Sequence, residues 1–184
     1  MTFAYDTERS LLDMAALINT GAHEADRLQT PAQLDEFLEA VEFTGSRTHT
    51  TAELAAVRQL RPRLRAVWTA GEDEAVEIIN AILREARALP QLVRHDHWDY
   101  HLHATTPEAP VDVRLAVEAA MALVDVVREK ELDRLQLCAA EGCNAVLVDL
   151  SRNRSKRFCD TGNCANRTHV AAYRARKQAE AQSA

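Results

Sequence analysis

The segments Cys138-Ala-Ala-Glu-Gly-Cys143 and Cys159-Asp-Thr-Gly-Asn-Cys164 are separated by fifteen residues and contain every cysteine of the 184-residue chain. In each segment four residues separate the two cysteines, and a glycine lies close before the second one (Gly142, Gly162). Two matched loops of this kind can place four thiolate sulfurs at the corners of a tetrahedron, each about 2.3 Å from one zinc ion. The glycines permit positive-φ turns that let backbone amides point toward the thiolates. We therefore predict a Zn2+ site whose ligands are Cys138, Cys143, Cys159 and Cys164.

Two disulfides, or four unrelated buried thiols, are the alternatives to a metal site. Cysteines distributed at random would not fall into two equally spaced pairs. The first residues of the chain include acids where a signal peptide would have a basic region and a long apolar core. In a reducing cytoplasm, cysteine pairs at this spacing are more often metal ligands than disulfides. We therefore expect a cytoplasmic protein with a structural zinc.

The residues around the cysteines predict a small zinc module. Residues 145–150 and 156–158 have the composition of two short strands joined by a turn. Residues 165–178 lack glycine and proline and predict a helix that begins at the metal site, with Val170 and Tyr173 packed back on the hairpin. This order of loop, hairpin, loop and helix is typical of a treble-clef-like module, which is too small to be stable without its metal.

Four runs of residues in this region carry a family resemblance: Val148-Asp-Leu-Ser-Arg-Asn153, Arg157-Phe-Cys159, Cys164-Ala-Asn-Arg167 and Val170-Ala-Ala-Tyr-Arg-Ala-Arg176. Together they resemble the CGNR zinc finger of bacterial proteins, over residues 138–177. Ala165 stands where the family has the glycine of its name, and alanine favours a helix there. The resemblance implies a preceding helical domain of the ABATE type, in proteins described as stress-induced transcription regulators.

Upstream of the module the sequence predicts a helical domain, so the fold class is mainly α, with a small β element and the C-terminal zinc module. The domain limits are residues 1–130 and 131–184. Helices are expected over residues 7–19, from the capping box at Thr30 to Gly45, from Thr50 to Gly71 with a kink or split at Pro62, over 72–88, and over 111–135. No flexible linker separates the last of these from the first cysteine, so we expect the module to have a defined orientation on the domain.

The segment His95-Asp-His-Trp-Asp-Tyr-His-Leu-His103 contains four of the seven histidines. As a strand it would place the histidines on one face, and Trp98, Tyr100 and Leu102 toward the core. The histidine face could bind a metal or respond to pH. Because alternate side chains of a strand are about 6 to 7 Å apart, a half-exposed strand of a small sheet is the favoured interpretation.

The net charge of −6 conceals an asymmetry along the chain. Residues 151–178 have eight basic residues and one acidic residue, for +7, which leaves 14 of the 22 basic and 27 of the 28 acidic residues elsewhere, for −13. The basic residues are Arg152, Arg154, Lys156, Arg157, Arg167, Arg174, Arg176 and Lys177. An acidic domain with a basic module indicates a polyanionic partner, although a solvated helix that faces the acidic domain would have the same composition.

These observations predict a transcription regulator whose zinc module binds DNA. Arg167, Arg174 and Lys177 would share one side of the helix, with Arg152 and Arg154 on phosphates. A protein-interaction module that docks on an acidic surface, including that of a second copy, is the alternative. We expect no catalysis, because four thiolates close the zinc site, and no membrane partner, because no apolar run is long enough to cross a bilayer.

The helical domain is expected to bind a small effector or a partner subunit. Its weak candidates for ligand contacts are Asn19, at the end of the first helix, and Arg58 and Arg61, beside the proline of the third. Helix-stop chemistry explains Asn19 equally well. A charged outer face explains the arginines more simply than an anion site does.

Overall fold

The computed structural model describes residues 3–23, 25–95 and 99–182. Their helices are α1 (Tyr5–Asn19), α2 (Pro31–Ala40), α3 (Thr51–Ala66), α4 (Glu72–Glu85), α5 (Val111–Arg128) and α6 (Cys164–Gln182), with a 3-10 turn at Leu132–Arg134. The strands are β1 (Gln91–Val93), β2 (His101–His103), β3 (Leu135–Leu137) and β4 (Val146–Val148). The mainly α class with a small β element is confirmed. None of these helices combines the length and the apolar character that a bilayer-spanning segment needs.

Helix α5 is the centre of the helical body, which we define as the part of the fold built from α1 to α5. It packs against α1, α3 and α4. Leu115, Ala119 and Leu123 are buried at intervals of four residues, as expected for a helix face that points into a core. Alanines at other buried positions of α5 leave room for the neighbouring helices to approach.

Local sequence signals start α2 and α3 as predicted, and at α3 the Thr50 side chain accepts from the Glu53 amide at 3.2 Å. The Thr30 side chain accepts from the Gln33 amide while the Gln33 side chain accepts from the Thr30 amide, so the capping box of α2 is complete. The predicted split at Pro62 is wrong, because α3 continues to Ala66. Pro62 cannot donate to the Arg58 carbonyl, and the Nε atom of Arg61 donates to that oxygen instead, at 3.4 Å.

Helix α5 ends seven residues before its predicted end at residue 135. Lys130 has a φ of +58°, its amide donates to the Val127 carbonyl, and the Glu131 amide donates to the Val126 carbonyl at 2.9 Å. These two bonds form a Schellman motif with a lysine where glycine is usual. The chain therefore reverses at residue 130 and enters β3.

The first hairpin pairs β1 with β2 in antiparallel register, with Gln91 opposite His103. The predicted inward orientation of Tyr100 and Leu102 is wrong, because they are 66% and 45% exposed. His97 and Trp98 lie outside the described residues. The side chains of His101 and His103 are the half-buried ones, so the histidine face of β2 is the one that meets the helical body.

The second hairpin differs from the predicted one. Strand β4 lies within the predicted strand 145–150, but it pairs with β3, on the other side of the Cys138–Cys143 loop. Residues 156–158 are not a strand. The buried carboxylate of Asp149 accepts from the amides of Ser151 and Lys156, at 2.8 and 2.9 Å, and this folds residues 151–156 into a compact loop.

Candidate metal centre and basic surface

The sulfur atoms of Cys138, Cys143, Cys159 and Cys164 all lie within 4.8 Å of one another. Cys143 and Cys159 are 3.8 Å apart, and Cys159 and Cys164 are 3.7 Å apart. Four sulfurs at about 2.3 Å from a tetrahedral zinc ion are about 3.8 Å from each other. A disulfide would bring two sulfurs to about 2.05 Å. The cluster therefore fits Zn2+ and not a pair of disulfides.

Each cysteine pair is presented by a different local structure. Cys138 follows β3, and its amide donates to the Ala145 carbonyl at 2.9 Å. The Cys143 amide closes the turn by donating to the Ala140 carbonyl at 3.1 Å. Gly142 in this turn has a φ of +70°, as predicted. The same prediction for Gly162 is wrong, because Gly162 has no positive φ and instead lies against the ring of His23.

Several donors face the sulfurs. The Cys159 amide donates to the Cys138 sulfur at 3.4 Å, and the Thr161 hydroxyl donates to the Cys159 sulfur at 3.4 Å. Burial alone would raise the pKa of Cys159, but hydrogen bonds led by that of Thr161 outweigh burial and lower it to about 7. The Arg167 guanidinium donates to the Cys164 sulfur at 3.2 Å. Each of these contacts favours the thiolate, the form in which cysteine binds zinc, but at Cys164 burial outweighs the Arg167 contact and raises the pKa.

The zinc module, residues 135–182, is joined to the helical body through the backbone of β4. The Asn19 side chain donates to the Val146 carbonyl and accepts from the Val146 amide, both at 2.8 Å. The Trp68 indole donates to the Leu147 carbonyl at 2.9 Å. Val146 and Val148 are also part of the body's hydrophobic core. The module therefore has a defined orientation on the body.

The three predicted ligand contacts have other partners in the structure. Asn19 is buried, and both the nitrogen and the oxygen of its side-chain amide bind the backbone of Val146. The predicted role of Asn19 in a ligand site is therefore wrong. Arg61 binds Asp26 at 2.7 Å, and Arg58 lies 3.3 Å from the same carboxylate. Arg61 holds the pKa of Asp26 well below its usual range, at about 2. Arg58 and Arg61 do line one cavity, of about 260 Å3, between the body and Asn144 of the module.

The predicted basic residues fall into two groups. Arg154 forms ion pairs with Glu131 and Asp133, and Lys156 pairs with Asp160 at 2.6 Å. Lys177 is 3.3 Å from Glu180, and Arg157 lies over the ring of Phe158. The second group forms no ion pair with any acid in the described part of the chain. It consists of Arg152, Arg174 and Arg176, together with Arg157 and with Arg167, which contacts the Cys164 sulfur.

Helix α6 projects from the zinc site with almost no contact to the rest of the protein. Residues 165–181 are exposed, apart from the half-buried Thr168. The predicted packing of Val170 and Tyr173 on the hairpin is wrong, because they are 38% and 55% exposed. His169 makes the contact to Phe158 instead, with ring centroids 6.2 Å apart.

Sequence reasoning did not identify two buried polar residues that shape the basic loop. Asp149 accepts from Ser151 and Lys156, as described above, and Arg134 donates to the carbonyls of Asp149 and Ser151, at 2.8 and 3.2 Å. Arg134 follows several other charged residues, so composition gives no signal for it, whereas Asp149 is the single charge of residues 142–151 and its place in an apolar run could have identified it. Their role depends on partners that only the folded chain brings near.

Comparison with known families agrees with this geometry. The profile of the ABATE family, described as "Putative stress-induced transcription regulator", matches residues 14–130. The profile of the CGNR zinc finger matches residues 134–177, which include all four clustered cysteines. No protein with a curated description matches the sequence. The ABATE match covers more than half of the chain, and the resemblance inferred from the residues is confirmed: the chain belongs to the ABATE family and carries a CGNR zinc finger at its C-terminal end.

Proposed function

We propose that this protein regulates transcription by binding DNA through its zinc module, with α6 as the main contact. The observation that carries the proposal is the exposure of α6, a 19-residue helix that begins at a zinc ligand and buries almost none of its surface. Apart from Val170 and Tyr173, α6 has no large apolar side chain, and both of these are exposed, so it lacks the buried apolar face that normally stabilises a surface helix. Its composition suits a polyanion instead.

The positions of the basic residues on α6 support this proposal. At 100° per residue, Arg167, Arg174 and Lys177 share one side of the helix, and Arg176 lies on the opposite side. The helix is about 28 Å long at 1.5 Å per residue, and the major groove of DNA is about 12 Å wide, enough to admit it. Arg152 extends the same positive charge onto the neighbouring loop.

The existing contacts of the basic residues indicate which of them can bind a phosphate most readily. Arg174 and Arg152 can approach phosphates without giving up an ion pair. Arg176 also has no ion pair, but it lies on the opposite side of α6. Arg154 and Lys156 would exchange an existing carboxylate partner for a phosphate, so their net contribution is smaller. Arg167 is directed at the Cys164 sulfur and contributes first to the zinc site.

The direct test is a titration of labelled random-sequence duplex with the zinc-loaded, full-length protein at several salt concentrations. Affinity should fall steeply with salt, and Arg174→Ala should reduce the slope of log K against log salt by about 1. Arg176→Ala is the matched control, since it removes the same charge from the opposite side of α6, and it should change the slope less. Cys159→Ser should abolish binding.

The absence of binding at low salt would contradict the proposal. If Arg174→Ala and Arg176→Ala changed the salt dependence equally, DNA binding would still stand, but a single DNA-contacting side of α6 would be excluded. The proposal includes a reducing, cytoplasmic setting, in which the four cysteines are not oxidised to disulfides and can bind zinc. It assigns no catalytic step to the zinc, because four thiolates complete its tetrahedron.

A protein-interaction role is the second candidate, and one observation favours it. Val170 and Tyr173 are exposed apolar side chains on the same half of α6 as Arg174 and Lys177, and the residues outside 151–178 have a net charge of −13. A second copy of the protein has an acidic surface of that kind. Self-association without nucleic acid, lost in Tyr173→Ala, would distinguish this role from DNA binding.

For the helical body we propose the role of receiving a small effector. A cavity of about 280 Å3 lies between the β1–β2 hairpin, α1 and α5. This cavity is separate from the one beside Arg58 and Arg61. Because α1 also holds β4 through Asn19, a change at α1 has a direct route to the zinc module.

A further inference from the structure

Three histidines of the first hairpin bring their Nε2 atoms together. His101 and His103 are 2.9 Å apart through these atoms, and His95 and His103 are 3.2 Å apart. Neighbouring imidazole nitrogens at about 2.0 to 2.1 Å from a tetrahedral metal ion are about 3.3 Å from each other. The spacing of alternate residues along a strand argues against a shared ion, but the two rings of β2 tilt toward one point, and His95 reaches the same point from the loop.

The opposite edges of the rings have the contacts that are usual for metal ligands. The Nδ1 atom of His101 donates to the Asp99 carbonyl at 2.7 Å. The Nδ1 atom of His103 lies 3.7 Å from the Glu118 carboxylate on α5. Histidines that bind metals almost always direct the second ring nitrogen to a backbone carbonyl, a carboxylate or water, which fixes the tautomer and the ring orientation.

The tautomers leave electron pairs that face one another. Because a carbonyl oxygen only accepts, His101 carries its proton on Nδ1 when neutral, and its Nε2 lone pair points at His103. A proton on the Nε2 atom of His103 can be donated to only one of its two imidazole neighbours. A metal cation at the centre would be bound by all three nitrogens at once.

The surroundings favour a cation. The three histidines line the cavity of about 280 Å3, whose lining also contains five acidic and two basic side chains. This excess of negative charge raises the local concentration of cations. Three protein ligands leave a fourth coordination position, which would face the cavity and take water or a ligand group.

We propose that His95, His101 and His103 form a second metal site, for a divalent transition-metal ion of the kind that imidazole binds well, such as zinc, nickel or copper. The site is distinct from the four-cysteine centre in ligands and in position. It joins the first hairpin to α5 through Glu118 and provides an open coordination position in the cavity of the helical body. The proposal does not depend on DNA binding.

The test counts metal in the full-length protein after equilibration with Zn2+ and removal of unbound ion. We expect two zinc ions per chain in the native protein and one in His101→Ala or His103→Ala. His49→Ala is the matched control, an exposed histidine outside the cluster, and it should keep both ions. Glu118→Gln should keep the second ion with about tenfold weaker affinity.

Substitution of Co2+ for zinc gives an independent measurement that identifies the ligands. The four-cysteine centre should show thiolate-to-cobalt charge transfer, and the second ion should add only weaker visible bands without it. One ion per chain in the native protein would overturn the proposal, as would a second ion retained by both His101→Ala and His103→Ala. Circular dichroism of each variant verifies the fold, and the native stoichiometry is decisive without any variant.

Discussion

The helical body buries a continuous cluster of leucine, isoleucine and valine side chains, contributed by every helix from α1 to α5. The cluster around the zinc site is small by comparison, with Cys138, Cys159 and Cys164 buried beside Ala140 and Ala145. Apolar burial can therefore stabilise the body, whereas the cysteine loops and α6 lack enough of it. One chain thus uses two sources of folding free energy, apolar burial in the body and metal binding in the module.

Strand β4 is where the two regions meet. Val146 and Val148 belong to the core of the body, and the adjacent Ala145 belongs to the cysteine cluster. Asn19 and Trp68 bind the strand's backbone from the body side. Separate changes to the metal, to the contacts with β4 and to the loops of the module therefore measure how much each contributes to the stability of the two regions.

Removal of zinc should have the largest effect. In Cys159→Ser, or after chelation, the cysteine loops and α6 should unfold, because structural zinc contributes about 10 to 16 kcal/mol to the folding of small modules. The body should remain folded. Far-UV circular dichroism would show a partial loss of helix, and limited proteolysis would leave a fragment that runs from α1 through β4. Loss of all helix in a single transition would contradict the separation of the two regions.

Asn19→Ala should destabilise the contact between the regions by about 3 kcal/mol, because it leaves the buried amide and carbonyl of Val146 without their partner. Chemical denaturation of the zinc-loaded protein measures this change. Asn80→Ala is the matched control, since Asn80 is an exposed residue of α4, and it should change stability by less than about 0.5 kcal/mol. Equal effects of both substitutions would show that β4 does not need Asn19.

Asp149→Asn should cost about 2 kcal/mol at neutral pH, since the buried carboxylate accepts from Ser151 and Lys156. Burial alone would raise the pKa of Asp149, but these hydrogen bonds outweigh burial and lower it. The stabilisation is present above the ordinary pKa of an aspartate and is lost as pH falls through the lowered value.

The difference in stability between the native protein and Asp149→Asn should therefore shrink on acidification. Denaturation of both proteins across a pH series gives this difference directly. Asp160→Asn serves as the control, because Asp160 is an exposed acid that pairs with Lys156, and it should have little effect. A difference that stays constant down to strongly acidic pH would argue against a stabilising carboxylate at position 149.

Gly142→Ala should have the smallest effect, about 1 kcal/mol, because a φ of +70° is unfavourable for alanine. An added Cβ would meet no atom within 4 Å, so backbone conformation is the only expected cause. Gly71→Ala has equally open space at a negative φ and should stay within about 0.5 kcal/mol of the native protein. Thermal unfolding of the two zinc-loaded variants and of the native protein measures these differences in stability.

The metal centre could be predicted from the sequence because the two cysteines of each pair are close together in the chain. The spacing of the cysteines brings each pair of sulfurs together within one turn, and only the meeting of the two pairs needs the fold. The capping box of Thr30 and Gln33 is local in the same way. The ends of α2, α4 and α5 could not be predicted, because Glu42, Arg87 and Lys130 take positive φ values, and none of these residue types signals such a turn in a sequence.

Other features depend on partners that are distant in the sequence. Strand β4 pairs with β3 and not with residues 156–158, and the residues between β4 and that segment form the loop 151–156 that Asp149 stabilises. Asn19 has the sequence context of a helix end, and its partner Val146 is 127 positions away. The histidine rings meet because of their tilt and the position of His95, which the regular spacing of a strand does not describe.

The bond between Asn19 and Val146 also has a consequence for protein synthesis. The end of α1 leaves the ribosome long before its partner strand, 127 residues later. Until then the Asn19 amide and the Trp68 indole lack their acceptors on β4, and the places of Val146 and Val148 in the core are empty. Helical segments can form as they emerge, but the body closes only after β4 has been made. The helical body can therefore complete its core only after the ribosome has translated β4 of the zinc module.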